Sequence, residues 1–106
     1  MDEKVKRLVN RVKAHLAELY GEHIRKVILY GSHARGEATE ESDVDVLVLV
    51  DPSLRPSEVR DSIGDQLFDI VLEDGEVVSV IVLPEETFET RDLPFMLNVR
   101  REGIAV

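Results

Sequence analysis

Apolar positions along this chain follow two periods. Val5, Leu8, Val9, Val12, Leu16 and Leu19 recur at helical spacing, so residues 3–20 read as an amphipathic helix. Gly21 then suits a helix stop. Residues 25–30 contain Val27-Ile28-Leu29-Tyr30, a short apolar strand that ends at Gly31-Ser32. Ser32 is placed to cap a short helix through Ala34-Arg35, and residues 36–42 form a polar loop. Residues 44–50 are apolar at almost every position, which predicts a strand buried on both faces and therefore central.

After Asp51-Pro52-Ser53, Pro56 marks a first helical position, with Glu58 and Asp61 in or near the opening turn. Val59, Ile63, Leu67, Ile70 and Val71 carry one helical stripe to about residue 72. Asp74-Gly75 is a turn signal, residues 77–83 a third strand, and Pro84 its stop. Residues 85–89 and 93–101 read as short helices, with Gly103 ending the second and Ile104-Ala105-Val106 a short tail. Helices alternating with apolar strands over this length predict one two-layer α/β domain spanning residues 1–106.

Composition changes this picture mainly by exclusion. The 106 residues contain no cysteine, so there is no disulfide framework and no thiolate metal site. No apolar run approaches the ~20 residues of a membrane helix, and the charged start Met1-Asp2-Glu3-Lys4 lacks a signal-peptide core. The expectation is a cytoplasmic protein without a membrane partner. The net charge of −9 argues against direct binding of a nucleic-acid backbone, which is held by basic stripes. Lys4, Lys6, Arg7, Arg11 and Lys13 read as a solvated helix face.

The candidate chemistry lies in one stretch. Gly31-Ser32-His33-Ala34-Arg35-Gly36 is followed after six residues by Asp43-Val44-Asp45. Gly31 permits a sharp turn and a close approach of phosphate to the backbone. Ser32 offers a hydroxyl and an N–H, and the start of a helix adds further free N–H groups. Asp43 and Asp45 share a face because a strand repeats every two residues. Aspartate is disfavoured in strands, so two of them entering so apolar a run call for a reason. Two carboxylates beside such a turn suit a metal-bound triphosphate, since Mg²⁺ takes hard oxygens and typically one or two carboxylates plus phosphates.

Gly-Ser-x-Ala-Arg-Gly, six residues, then Asp-x-Asp with Ser42 before the first aspartate, resembles the signature of minimal nucleotidyltransferases of the DNA polymerase β superfamily. The resemblance is specific over residues 25–50 and elsewhere rests on element order and size. It implies a mixed central sheet flanked by helices. It implies that Gly31 and Ser32 hold the triphosphate and that Asp43 and Asp45 bind one or two Mg²⁺ ions. The implied reaction moves a nucleoside monophosphate, AMP when the substrate is ATP, to a protein or small-molecule acceptor. It also implies a small helical partner of the HEPN type, as in toxin–antitoxin pairs.

The family's third carboxylate comes from a later strand, where this chain has Ser79 as the one polar position in Val77–Leu83. Serine is a poor base and a weak ligand. Glu73, Asp74 and Glu76 precede that strand, as a solvated turn or as a substitute acid. A catalytically weak nucleotide- or partner-binding module is therefore the alternative reading. Arg35 either contacts phosphate or pairs with Asp43, and His33 either faces the site or is exposed. His15 and His23 read as surface residues. Tyr30, Phe88, Phe95 and Met96 read as packing. The sequence leaves homo- and hetero-oligomers open.

Overall fold

The structure, a computed structural model, describes residues 2–106. Helix α1 (Glu3–Tyr20) starts after Asp2, whose carboxylate accepts a 2.7 Å hydrogen bond from the Lys4 N–H. It stops at Gly21, which takes a φ of 57° and donates its N–H to the Ala17 carbonyl. One 3₁₀ turn later comes strand β1 (Ile24–Tyr30), then the short helix α2 (Ser32–Arg35) and strand β2 (Val44–Val50). Helices α3 (Pro56–Ser62) and α4 (Gly64–Asp74) lead to strand β3 (Val78–Pro84). Helices α5 (Glu85–Thr90) and α6 (Pro94–Glu102) and strand β4 (Ile104–Ala105) complete the chain.

The sheet order is β3-β2-β1-β4. β1 runs antiparallel to β2 and β4, while β2 and β3 are parallel, so the sheet is mixed. β2 is interior, as its apolar run, broken only by Asp45, requires. Its alternate residues enter two cores. Val44, Val46, Val48 and Val50 pack with Leu8, Val12 and Leu16 of α1 and with Val59 and Ile70 of α3 and α4. Leu47 and Leu49 pack on the other face with Ile28, Phe88, Met96 and Val99. The sheet and α1, α3 and α4 form the main pair of layers. α5 and α6 add a smaller cover over part of the opposite face, and that face carries the site.

Three local details differ from the sequence reading. The stripe over 56–72 is two helices, because Ile63 takes φ −107°, ψ 3° and sinks into the core while Ser62 Oγ donates to the Val59 carbonyl at 2.7 Å. Leu19 and Val71, which continue the apolar stripes in sequence, face solvent. The tail is a strand, in which Ile104 and Ala105 pair with Leu29 and Ile28 and the Val106 N–H reaches the Val27 carbonyl at 2.9 Å. That pairing needs a small residue at the turn. A Cβ on Gly103 would stand 2.5 Å from the Val99 carbonyl oxygen and 2.6 Å from Ile28 Cγ2. Gly103→Ala is expected to lower stability by roughly 1–3 kcal/mol in urea unfolding, the usual cost of forced overpacking.

At the end of the sheet remote from the aspartate pair, Asp51 accepts the Ser53 hydroxyl and N–H and pairs with His23 Nδ1 at 2.7 Å. His23 is thus a surface residue with a partner. The Ser53 hydroxyl, then His23, lower the Asp51 pKa from 3.8 to about 2. A depressed carboxylate stabilises the fold above its unfolded pKa, and that stabilisation disappears as pH falls from 3.8 through about 2. Over this window the urea midpoint of the wild-type protein is expected to fall more steeply than that of Asp51→Asn.

Candidate functional site

The site begins where β1 ends. Gly31 has a φ of 79°, in the left-handed region that favours glycine. Its carbonyl accepts the N–H groups of Ala34 and Arg35, both at 3.1 Å, which closes the turn into α2. Gly31, not Ser32, therefore occupies the cap position, and Ser32 is the first helical residue with no side-chain capping bond. The Ser32 hydroxyl is left for another partner. Among the described residues, no backbone bond of the turn uses the N–H of Ser32 or His33. A methyl group on Gly31 would overlap the Asp45 carboxylate, so the bare backbone of the turn and the acid lie directly against each other.

Asp43 immediately precedes β2 and is exposed, while Asp45 is its second residue and is half-buried. In register, Asp45 stands opposite Tyr30 on β1 and Ser79 on β3. Burial, and then the like charge of Asp43, push the Asp45 carboxyl above its usual range, with His33 and Arg35 pulling the other way. Two hard carboxylates that repel each other are a fitting donor pair for a divalent cation. Among the described residues, no group of three or more acids or histidines is arranged to hold a metal ion. The chain thus offers two ligands and leaves the remaining positions to water or to a bound anion, as suits a cation that arrives with phosphates.

Arg35 does not pair with Asp43. Its guanidinium bridges Glu37 at 3.3 Å and Glu102 of α6 at 3.1 Å. The acids before β3 are likewise committed elsewhere. Glu76 pairs with Lys4 at 3.3 Å, Glu73 with Arg11 at 3.0 Å, and Asp74 with Arg11 at 3.4 Å. The basic residues Lys4, Arg7 and Arg11 of α1 thus fasten this turn rather than forming a purely solvated face. His33 is half-buried, and its Nε2 is enclosed without a hydrogen-bond partner.

One cavity of about 410 Å³, within the range of small-molecule sites, opens beside the Gly31 turn and Asp45 but is not lined by Asp43. It is lined by Tyr30, Gly31, Ser32, Arg35 and Asp45 on one side and by Phe95, Asn98, Val99 and Glu102 of α6 on the other. A larger cavity beside α2, about 690 Å³, is lined by neither Asp43, Asp45 nor Ser32. The α6 wall is absent from the sequence reading. Tyr30 and Phe95 do pack, as expected, meeting edge to face with ring centroids 5.4 Å apart. They also form the floor of the cavity. Burial, then Asp45, raise the Tyr30 phenol above its ordinary value. The available signal is strand parity, since Tyr30 lies on the same sheet face as Asp45.

Comparison with known proteins places the chain in a family. The nucleotidyltransferase domain family matches residues 9–102. A candidate protein adenylyltransferase of Methanocaldococcus jannaschii, MJ0604, is 36% identical over 103 residues, covering 96% of this chain and 93% of that protein. Protein adenylyltransferase MntA of Thermococcus cleftensis is 41% identical over 46 residues, 43% of this chain and 44% of that protein. Among solved structures, a candidate nucleotidyltransferase from Sulfolobus solfataricus superposes with a TM-score of 0.59 at 19% identity, over 96% of this chain and 78% of that one. A toxin–antitoxin structure with AMP-PNP superposes at 0.57 and 15% identity, over 90% of this chain and 69% of that one. These two likenesses show the mixed, helix-flanked fold. The family match and the near full-length relative show that the chain belongs to the nucleotidyltransferase domain family.

Proposed function

We propose that this protein is a Mg²⁺-dependent protein adenylyltransferase that moves AMP from ATP to a hydroxyl of a partner protein and releases pyrophosphate. The observation that carries the reading is the contact of the Gly31 turn with Asp45, which sets one carboxylate directly against a turn whose Ser32 and His33 N–H groups make no backbone bond. The relatives named as protein adenylyltransferases support the choice of acceptor class. The toxin–antitoxin neighbour supports a role in a toxin–antitoxin pair, and the acceptor in this reading is a small helical HEPN-type toxin.

In this mechanism the N–H groups of Ser32 and His33 and the Ser32 hydroxyl hold phosphate oxygens and orient the triphosphate. Asp43 and Asp45 would hold Mg²⁺, which supplies charge neutralisation at the reacting phosphate. Arg35 sits at the cavity wall, held by Glu37 and Glu102, and supplies positive charge at the phosphate end. The acceptor oxygen forms a bond to the α-phosphorus while the bond to pyrophosphate breaks, and the hydroxyl proton passes to solvent.

The placement of Ser79 beside Asp45 favours a second reading, a nucleotide-binding module without turnover. Incubation with Mg·ATP and the helical partner separates the two. Transfer predicts the mass of AMP on the partner with stoichiometric pyrophosphate, abolished by Asp43→Asn plus Asp45→Asn. Binding of ATP with neither product supports the module, and mass addition that survives the double substitution contradicts the assigned site.

A further inference from the structure

Resting on that reading, we infer that the protein acceptor docks as an extended strand along the free edge of β3 and presents its hydroxyl beside Ser79. Strand order sets the direction of approach. The triphosphate cradle follows β1, the carboxylates stand on β2, and β3 lies on the opposite side of β2 from β1. Displacement at phosphorus places the attacking and leaving oxygens in line on opposite sides. With the leaving pyrophosphate held at the β1 end, the acceptor approaches from the β3 side.

That side is open. α5 and α6 cover the same sheet face over β1 and β2 through Phe88, Met96 and Val99. Over the first half of β3 the cover is missing: Val77, just before the strand, is 47% exposed and Ile81 within it 39% exposed. With Ser79 between them, these residues alternate on the face that carries Asp45, because Asp45 pairs with Ser79 and Leu47 with Ile81. β3 also terminates the sheet, so among the described residues its outer edge has no strand beside it. An apolar-small-apolar row at period two on an open edge is a template for strand addition, with main-chain bonds giving affinity and alternate side chains giving register. A strand seated there sets one side chain level with Asp45, and the small Ser79 leaves room for it. The net charge of −9 asks for a basic segment.

In the transfer, the oxygen of the docked tyrosine, serine or threonine bonds to the α-phosphorus of ATP. Pyrophosphate leaves with the cleaved bond's electrons, and the hydroxyl proton goes to water.

The test uses the full chain, Mg·ATP and a synthetic acetylated peptide, Lys-Val-Lys-Tyr-Lys-Val-Lys, whose valines and tyrosine share one face. Modification is read by mass, and Mg·ATP binding is measured separately by calorimetry. The peptide is expected to gain AMP. Ile81→Lys and Val77→Lys are expected to reduce its modification at least ~10-fold, the equivalent of ~1.4 kcal/mol of docking, with Mg·ATP affinity unchanged. N-methylation of alternate peptide amides, made in both registers, is expected to abolish modification in one of them. An unmodified peptide, equal modification by the edge variants, or indifference to N-methylation in both registers overturns the docking mode. Failure of the wild-type protein to bind Mg·ATP overturns the nucleotide reading instead.

Discussion

Asp45→Asn is expected to abolish nucleotidyl transfer, by about 10³-fold or more as for loss of a group that stabilises transition-state charge, and at the same time to raise the melting temperature of the metal-free protein. The two effects have one cause. Asp45 is pressed by burial and by Asp43, so its folded pKa is raised. A raised carboxyl favours the fold when protonated, and that contribution is lost as pH rises through the folded value. At neutral pH the charged form is therefore carried at a cost, which the neutral amide removes. The melting temperature is expected to rise, the direction that follows from the raised carboxyl. The gain shrinks as pH falls and vanishes well below 3.8, where Asp45 is protonated in both states. Differential scanning calorimetry of both proteins at pH 7 and pH 3 checks this. Unchanged or lowered stability at pH 7 contradicts the strain assigned to the pair, and exchange of stability for function is a common property of active sites.

The second large effect is at Gly31. Alanine there meets a φ of 79° and overlaps the Asp45 carboxylate. Gly36 is the natural control, since its φ is 73° and a Cβ there would meet nothing within 4 Å. Gly36→Ala is expected to cost about 1 kcal/mol from backbone strain alone. Gly31→Ala adds the displacement of Asp45, for a total of roughly 2–4 kcal/mol with loss of transferase activity. Urea unfolding and pyrophosphate release on both variants separate the contributions. Equal losses of stability and activity at the two positions contradict the close approach.

What the sequence makes legible follows the range of the interactions. The helix stripe of α1 and the central position of β2 depend only on local period. The Gly-Ser turn and the aspartate spacing identify the family because the chemistry is packed into residues 31–45. The partners of Arg35 are not legible, because Glu102 lies 67 residues away and reaches it only once α6 packs across β1 and β2. The pairing of the tail is equally hidden, since two residues carry no strand signal. They pair only because the outer edge of β1 is free and Gly103 permits the approach. The helix break at Ile63 is not legible either, because Ile63 keeps its place in the apolar stripe and only its backbone, at φ −107° and ψ 3°, leaves the helix. Ser79 stands out in sequence as the odd polar residue of β3, but its alignment with Asp45 needs the parallel register.

The most direct test of the central claim is calorimetric titration of Mg·ATP into the wild-type protein and into Asp43→Asn plus Asp45→Asn, with and without Mg²⁺. Saturable binding that requires Mg²⁺, and that is lost in the double variant while its fold is retained, is the predicted result. Binding that is independent of Mg²⁺, or equal in the two proteins, contradicts it.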